Sequence, residues 1–262
     1  MKEEYRRRER QEQVQEVNEN QLEGRNALTE ALRSGRTIDK VFIAAGETDR
    51  GLQRLAAQAK EAGAVVVPVD RRKLNAMSTT GAHQGVIALA AVRQYSTIDD
   101  ILQEAADRGE VPLIVICDEL SDPHNLGAII RSAECAGAHG IIIPKRRSVG
   151  LTAVVAKTSA GAVEYMKVAK VTNITSAIEE LKEKGVWVFG TAAEGSIPMY
   201  QADLTIPTAI VIGSEGDGMS RLVQKSCDVT VNIPMKGRIT SLNASAAASI
   251  LLYEAVRQRL NK

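Results

Sequence analysis

The sequence predicts an α/β protein of two domains, the larger of which is built on a parallel β-sheet. In its C-terminal part, runs that are apolar throughout, such as "LIVIC", "GIIIP" and "TAIVIG", alternate with segments of helical periodicity. Strands without a polar face are typical of parallel sheets that helices cover on both sides. The chain has 262 residues, of which 44% are hydrophobic, so it can form two domains that each bury a core.

Composition divides the chain into four segments. Residues 1–21 form a charged tail, with eleven charged side chains among the first twenty residues. Residues 22–93 form a small α/β domain, 94–111 a linker that contains one helix, and 112–262 the larger domain. A segment as polar as the tail cannot bury enough apolar surface to fold alone, so we expect it to be flexible.

The elements of the small domain follow from periodicity and from capping residues. Its predicted helices are "NALTEALRSG", "TDRGLQRLAAQAKEAG" and the short "RRKLNAM", and its predicted strands are "KVFIA", "AVVVPV" and "GVIALAAV". Thr48 or Asp49 can cap the second helix, and Gly63 can end it. The linker contains the amphipathic helix "STIDDILQEAADRGE", which Ser96 or Thr97 can open.

The larger domain continues the alternation to the end of the chain. After the strand "LIVIC" we predict a helix over 126–136, with Asn125 as its N-cap. Then follow the strand "GIIIP", a helix of small residues around "AVVAKTSAGA", the strand "KVAKV" and the helix "TSAIEELKEKG". The strands "VWVFG", "TAIVIG" and "VTVNIP", a short helix after "GDGM" and a closing helix over 244–260 complete the domain.

Composition also argues against several classes of protein. The three cysteines and the three histidines are widely spaced, so we expect neither a disulfide framework nor a metal site. No apolar run approaches the roughly 18 residues of a membrane span, and the N-terminus lacks the apolar centre of a secretory signal. We therefore expect a cytoplasmic protein without a membrane segment. Aromatic residues make up only 3%, so a surface that stacks RNA bases is not expected.

The first candidate for chemistry is the turn "DPHN" (122–125), which follows "LIVIC" and precedes Arg131 by six residues. Nucleotide-binding enzymes usually place a glycine-rich phosphate loop at such a point, but here the first glycine is Gly127. Arg131 either forms a surface ion pair with Glu134, three residues further on, or has a functional role. His124 is a less favoured candidate for a catalytic base, because the sequence offers it no carboxylate partner.

The second candidate is "IVIGSEGDGM" (210–219), in which Gly213, Gly216 and Gly218 surround Glu215. Glycines permit tight turns and the close approach of a ligand, and a plain glycine-rich turn is the alternative. The spacing does not fit a dinucleotide-binding fingerprint, which argues against a nicotinamide-dependent enzyme.

The third candidate is "NIPMKGRITSLNASAAAS" (232–249), which leads from a strand through a loop into the closing helix. Asn243 or Ser245 can simply cap that helix. The small side chains at its start also allow another segment of the chain, or a second subunit, to pack closely against it.

Taken together, these segments resemble a known family. The patterns N-L-G-x-x-x-R, I-G-x-E-G-x-G-M and I-P-M-x-G-x-x-x-S-L-N-x-S occur in the order of the three motifs of the TrmH (SpoU) branch of the SPOUT RNA methyltransferases, over about 112–262. Within that branch, the sequence is most similar to guanosine 2′-O-methyltransferases of bacterial 23S ribosomal RNA. "GRNAL" and "HQG", within 22–93, resemble an RNA-binding domain of the ribosomal-protein L30e/L7Ae type. The resemblance implies a deep C-terminal trefoil knot and dimerisation through the knot region.

The resemblance also implies a reaction and its residues. S-adenosylmethionine would donate a methyl group to the ribose 2′-OH of a guanosine in 23S ribosomal RNA. The implied catalytic residues are Asn125, Arg131, Glu215 and Asn243. The implied cofactor-binding residues are Gly190, Thr191, Gly213, Ile233, Met235, Ser241 and Leu242. Arg131 would act beside the 2′-OH as proton acceptor or as stabiliser of the alkoxide, and we favour stabilisation because a guanidinium stays protonated at neutral pH.

The predicted partner is RNA, and the expected RNA-binding residues are Lys145, Arg146, Arg147, Arg25 and His83. The net charge of +1 does not identify the RNA. Two alternatives remain open in the sequence. The substrate could be a guanosine in the D-loop of transfer RNA, or the protein could be a non-catalytic RNA-binding or ribosome-assembly factor on the same scaffold.

Overall fold

The structure is a computed structural model that describes residues 20–46, 49–192, 197–214, 216 and 218–260. These residues form two compact units. The first contains the described residues up to Gln94 together with Gly150–Val154, and the second contains Tyr95–Val149 and the described residues from Val155 onwards. All but the last two residues of the tail predicted over 1–21 lie outside the described residues.

The first unit is a four-stranded sheet with three helices. Its strands are β1 (Gln21–Glu23), β2 (Ile38–Ala44), β3 (Val65–Val69) and β4 (Val86–Ala90), and its helices are α1 (Arg25–Arg33), α2 (Arg50–Glu61) and α3 (Arg71–Met77). The strand order is β1-β4-β2-β3, with β2 and β3 parallel and the other neighbours antiparallel. Leu28 and Leu52, from α1 and α2, are fully buried in one core with Val41 of β2.

The second unit is a seven-stranded sheet with helices packed on it. Its strands are β5 (Leu113–Cys117), β6 (Gly140–Pro144), β7 (Lys167–Val171), β8 (Trp187–Thr191), β9 (Ile197–Pro198), β10 (Thr208–Ile212) and β11 (Val229–Asn232). Its helices are α4 (Ile98–Asp107), α5 (Pro123–Cys135), α6 (Ala153–Thr158, which begins in the segment assigned to the first unit), α7 (Ile174–Glu183), α8 (Arg221–Ser226) and α9 (Ala244–Leu260). The strand order is β7-β6-β5-β10-β8-β11-β9 and every neighbouring pair is parallel, which confirms the predicted parallel sheet.

The strands that are apolar throughout lie at the centre of this sheet. Every residue of β5, β6 and β10 is buried, as expected for strands covered on both faces. The trefoil knot depends on whether the C-terminal segment passes through a loop of the chain. It stays a prediction, and the parallel sheet is in keeping with it.

The helix predicted within the linker 94–111 belongs to the second unit. Ile98 and Ile101 of α4 lie in the same hydrophobic core as residues of β5 and β10. Gly140, at the start of β6, permits this packing, because a Cβ there would lie 2.4 Å from the side chain of Ile101. An amphipathic helix is stabilised by burying its apolar stripe, so α4 packs on the sheet instead of forming an exposed connection.

The structure decides two of the capping alternatives. Asp49 caps α2 by accepting a hydrogen bond from the backbone nitrogen of Leu52. Thr97 caps α4, where it forms a reciprocal capping box with Asp100.

Candidate active site

A cleft lies at the carboxyl ends of β8, β10 and β11, where the loops after these parallel strands meet. Ligands of parallel sheets usually bind at this edge. The cleft has a volume of about 920 Å³, within the range of small-molecule sites. Five of the seven predicted cofactor-binding residues line it: Thr191, Ile233, Met235, Ser241 and Leu242.

The other two predicted cofactor-binding residues, Gly190 and Gly213, pack within the protein and do not line this cleft. A Cβ on Gly190 would lie 2.7 Å from Sγ of Cys227 and 2.8 Å from Cε of Met219. A Cβ on Gly213 would lie 2.2 Å from the carbonyl carbon of Gly218. At Gly213 a Cβ would meet backbone atoms, so the packing of the wall by itself requires a glycine there; at Gly190 it would meet side chains, which would have to move.

The glycine-rich segment after β10 forms a closed hairpin. Ser214 and Gly218 exchange two backbone hydrogen bonds, of 3.0 and 3.1 Å. Asp118, buried directly after β5, accepts a 2.8 Å hydrogen bond from the backbone nitrogen of Ser220 and so attaches the base of the hairpin to the centre of the sheet. We did not predict Asp118 as a site residue, although a carboxylate that follows a buried strand could have indicated it. Glu215, a predicted catalytic residue, lies outside the described residues.

The polar turn after β5 starts helix α5 earlier than predicted. Asp122 is the N-cap, and its carboxylate accepts a 2.9 Å hydrogen bond from the backbone nitrogen of His124. Pro123 is the first helical residue, a position where its missing N–H costs no hydrogen bond. The helix therefore runs over Pro123–Cys135 and not 126–136, and the prediction of Asn125 as its N-cap was wrong.

Asn125 is buried, and its side chain meets the start of the C-terminal helix. Nδ2 of Asn243 donates a 2.9 Å hydrogen bond to Oδ1 of Asn125, although 118 positions separate the two residues. Oδ1 of Asn243 accepts hydrogen bonds from the backbone nitrogens of Ser245 and Ala246, at 2.9 and 3.3 Å, and so caps α9. Because the cap requires the oxygen to face the helix, the amide nitrogen faces Asn125. One side chain thus caps a helix and joins the first motif to the third.

Helix α5 is packed tightly against α6 at Gly127. A Cβ on Gly127 would lie 1.9 Å from Oγ1 of Thr158 and 3.0 Å from the carbonyl oxygen of Val155. The glycine of the N-L-G pattern is therefore explained by helix packing, without a ligand.

Arg131 is exposed, on the face of α5 that also carries His124 and Cys135. Spacings of four and seven residues place these side chains on one side of a helix. Among the residues that the structure describes, Arg131 makes no hydrogen bond or ion pair, and the alternative ion pair with Glu134 is not formed. Its guanidinium is available to a bound molecule.

The basic segment Lys145–Arg147 follows β6 at the same edge of the sheet as the polar turn. Arg147 forms a 3.0 Å ion pair with Glu119, and both residues have φ of 55°. The backbone nitrogen of Val149 donates to the carbonyl oxygen of Leu120 at 3.0 Å. The basic segment is thereby attached to the loop that leads to the turn.

Arg25 and His83, which we predicted to bind RNA, are hydrogen-bonded within the first unit. His83 is only 4% exposed; its Nδ1 accepts a 3.1 Å hydrogen bond from the backbone nitrogen of Gly85, and its Nε2 lies 2.8 Å from Oδ1 of Asn75. This ring supports its loop and is not available for the RNA contact that we predicted. Arg25 is partly exposed and forms a 2.9 Å ion pair with Asp49, and its hydrogen bond lowers the pKa of that carboxyl.

The described part of the chain has neither a metal-ligating cluster nor a helix suited to span a membrane. No group of three or more metal-ligating side chains occurs there. None of its helices combines the length and the apolar composition that a membrane span requires.

Comparisons with known proteins match both units. Residues 112–253 match the SpoU rRNA Methylase family, and residues 21–96 match the family named RNA 2′-O ribose methyltransferase substrate binding. YacO of Bacillus subtilis, a protein assigned to the TrmH family of tRNA/rRNA methyltransferases, is 48% identical over 236 residues, which cover 90% of this chain and 94% of YacO.

Two solved structures resemble this chain, one over most of its length and the other over a little more than half. An S-adenosylmethionine-bound rRNA methyltransferase from Sinorhizobium meliloti is 27% identical, with a TM-score of 0.58, and covers 91% of this chain and 87% of its own. A TrmH/SpoU tRNA-modifying enzyme from A. aeolicus is 29% identical, with a TM-score of 0.54, and covers 58% of this chain and 77% of its own.

The cleft suits S-adenosylmethionine, which has an apolar adenine face and polar ends. Met235 and Leu242 expose 37% and 38% of their surface there and can cover an aromatic ring. Thr191 and Ser241 add hydroxyl groups, and the loops add backbone N–H and C=O groups. The matched residues and this cleft lead to one conclusion: the chain belongs to the SpoU rRNA methylase (TrmH) family of S-adenosylmethionine-dependent RNA methyltransferases.

Proposed function

We propose that this protein transfers a methyl group from S-adenosylmethionine to the 2′-OH of a ribose in RNA. The hydrogen bond between Asn125 and Asn243 carries the proposal. It brings the helix that bears Arg131 to the segment 240–242, which lines the cleft. The residues that would hold the ribose and those that would hold the cofactor therefore adjoin.

When bound, the cofactor supplies a methyl group on a positively charged sulfur atom. The chain must align the 2′-OH with that group and stabilise the negative charge that develops on the oxygen. In our proposal Arg131 donates hydrogen bonds to this oxygen, and Asn125 orients either the ribose or the guanidinium. Asn243 holds Asn125 in place, and Glu215 would brace the site.

The cofactor would be held mainly by the loops at the carboxyl ends of the strands. Five residues would contact it: Thr191, Ile233, Met235, Ser241 and Leu242. Gly190 and Gly213 would act indirectly, since their lack of a side chain lets the walls of the cleft pack.

We propose a guanosine of 23S ribosomal RNA as the substrate. Support comes from the extent of similarity, because the rRNA methyltransferase covers 91% of this chain whereas the tRNA-modifying enzyme covers 58%. A first unit that matches a substrate-binding family also favours a large RNA. A guanosine in the D-loop of transfer RNA is the alternative. Either substrate implies a cytoplasmic protein.

Lys145, Arg146 and Arg147 would supply phosphate contacts beside the ribose. Such contacts position RNA without reading its sequence. The ion pair between Arg147 and Glu119 would orient one of the three cations. In the first unit, Arg25 would contribute through the part of its side chain that remains exposed.

We further propose that the protein is a homodimer formed through the second unit. Helices α5 and α9 pack side by side, with Ser132 hydrogen-bonded to Ser249 at 2.8 Å. Helix α9 and the loop before it expose large apolar side chains, with Tyr253 52% and Ile239 75% exposed. Exposed apolar groups of this size are typical of a surface that a second subunit covers.

The test is methyl transfer from labelled S-adenosylmethionine to protein-free 23S RNA and, separately, to bulk transfer RNA. We expect label in 23S RNA, at a ribose whose 3′ phosphodiester resists alkali. Arg131→Ala should abolish the label and still bind the cofactor.

Label in transfer RNA alone would favour the alternative substrate. Cofactor binding without label in either RNA would point to an assembly intermediate or a non-catalytic role, and failure to bind the cofactor would contradict the enzyme proposal.

A further inference from the structure

The carboxylate of Glu23, at the end of β1, accepts hydrogen bonds from three consecutive residues of an exposed loop. Oγ of Ser78 donates at 2.6 Å, the backbone nitrogen and hydroxyl of Thr79 at 2.6 and 2.8 Å, and those of Thr80 at 3.2 and 2.5 Å. Nε2 of Gln21 donates a sixth, at 2.8 Å. Partial burial raises the pKa of Glu23, but the hydrogen bonds from Ser78, Thr80 and Thr79 lower it by more, so that its pKa lies well below the ordinary value.

The far end of the same loop is held by Arg25. Nε of Arg25 donates to the carbonyl oxygen of Gln84 at 3.2 Å, and its backbone nitrogen donates to Oε1 of Gln84 at 3.1 Å. Gln84 is kept in the left-handed region, with φ of 49°. Gly24 lies close beneath the loop, since a Cβ on it would be 3.3 Å from the carbonyl oxygen of Ala82. Glu23 and Arg25, the two neighbours of Gly24, thus fix the 78–84 loop at both ends.

The 78–84 loop is ordered although it buries little apolar surface. Residues 79–82 are all exposed. Fixing an exposed segment costs conformational entropy, which side-chain packing does not offset here. An exposed loop that donates five hydrogen bonds to one carboxylate is typical of a surface organised before its ligand arrives.

The helix that leads into this loop carries positive charge. Helix α3, which leads into it, begins with Arg71, Arg72 and Lys73, all exposed and without an ion pair to any described residue. Near the end of the same helix, Oδ1 of Asn75 is 2.8 Å from Nε2 of His83, so the helix and the loop support each other. Clustered cations attract phosphates, and small hydroxyl side chains can approach a sugar–phosphate backbone.

We propose that the 78–84 loop and the start of α3 form the surface by which the first unit binds the RNA backbone, and that Glu23 is a positioning residue for this binding. The inference rests on the proposed function and specifies how the first unit takes part in it. Glu23 does not touch the RNA. As an anion it repels phosphates, and its contribution is the shape of the loop.

Glu23→Gln in the full-length protein tests this role, with Glu30→Gln as the matched control. Both changes remove one negative charge from the first unit, but among the described residues Glu30 pairs only with Arg33, at 2.8 Å on the exposed face of α1. Loss of a negative charge alone strengthens RNA binding, whereas loss of the loop's anchor weakens it, so the two effects have opposite signs. We expect Glu23→Gln to raise KM for RNA about tenfold, with kcat at saturating RNA and Kd for S-adenosylmethionine unchanged. Glu30→Gln should leave KM unchanged or lower it.

An unchanged or lowered KM for RNA in folded Glu23→Gln would overturn the inference. If circular dichroism shows that this variant does not fold, Thr80→Val, which removes one donor to the carboxylate, takes its place, and a rise in KM of about threefold is expected. If the wild type methylates neither RNA, the proposed function fails. Direct binding of 23S RNA, measured by filter retention, still tests the loop in that event, because Glu23→Gln must then weaken retention relative to Glu30→Gln.

Discussion

Arg131 is the single residue on which the proposed chemistry depends most. Its guanidinium offers several N–H donors in one plane, which the ammonium group of lysine cannot reproduce. If these donors stabilise a developing alkoxide, Arg131→Lys should lower kcat by about 10²-fold or more, with cofactor affinity unchanged. Single-turnover methylation across about pH 6 to 9 measures this. A lysine variant that stays active, with a rate that rises with pH, would instead identify residue 131 as the proton acceptor.

Gly127 contributes to stability because it has no side chain, which lets α5 and α6 pack closely. Gly127→Ala places a Cβ 1.9 Å from Oγ1 of Thr158, so α5 and α6 must move apart. We expect a loss of about 1–3 kcal/mol in the free energy of unfolding, measured by denaturant titration. Gly237→Ala is the control, because the nearest heavy atom would be 4.0 Å away. Equal stability of the two variants would show that the helices can separate without cost.

At the scale of elements, Asn243 belongs both to a helix cap and to the candidate site, and substitutions can separate these roles. Asn243→Asp keeps the oxygen that caps α9 but loses the donor to Asn125, whereas Asn243→Ala loses both. The alanine variant should lose about 1 kcal/mol of stability, and the aspartate variant close to none. Methylation should fall about tenfold or more in both. An aspartate variant with full activity would show that the contact with Asn125 is dispensable.

The elements could be predicted from the sequence where apolar periodicity is strong. The buried strands β5, β6 and β10 are apolar throughout and the helices α1, α2 and α4 are strongly amphipathic, and the predicted positions of all six are confirmed. Strands β1 and β9 were missed because they contain only three and two residues. The start of α5 was misplaced because Asp122 and Asn125 are both good caps, and the proline between them decides in favour of Asp122.

The site was only partly predictable, because its decisive contacts join distant segments. Residues that follow strands could be assigned to one edge of the sheet, and five predicted cofactor-binding residues do line one cleft. The contact of Asn125 with Asn243 spans 118 positions and depends on the tertiary fold. A glycine that lets a ligand approach and one that lets a wall pack look alike in a sequence, and Gly190 and Gly213 pack the wall.

At the scale of the whole second unit, the edge of the sheet opposite the cleft is closed by two basic side chains, the buried His139 and the half-buried Arg259. Nδ1 of His139 accepts a 3.0 Å hydrogen bond from the backbone nitrogen of Leu113, and Nε2 lies 3.0 Å from Glu110. Arg259, near the end of α9, donates to the carbonyl oxygens of Val111, Pro112, Leu204 and Ile206. These bonds attach the C-terminal helix to the start of the central strand, so local loss of them should affect the stability of the unit as a whole.

The stability of the protein should therefore depend on pH through His139. Burial lowers the pKa of His139 from its ordinary value of 6.5, and the carboxylate of Glu110 only partly counteracts this. The geometry explains the direction, because protonation of Nδ1 would oppose its proton to the N–H of Leu113. Between the folded-state pKa and about 6.5, the unfolded chain binds a proton that the folded chain does not. The stabilisation is thus present above pH 6.5 and is lost as the pH falls through that window.

We expect Tm to fall between about pH 7.5 and pH 5.5, and to fall less steeply in His139→Gln than in the wild type. Differential scanning calorimetry at several pH values measures the slope, which is informative even if the variant is less stable throughout. His124→Gln, at an exposed position on α5, is the control and should keep the slope of the wild type. If His139→Gln and His124→Gln gave the same slope, the pH dependence would have to come from another group, and the closed edge of the sheet would not respond to protonation.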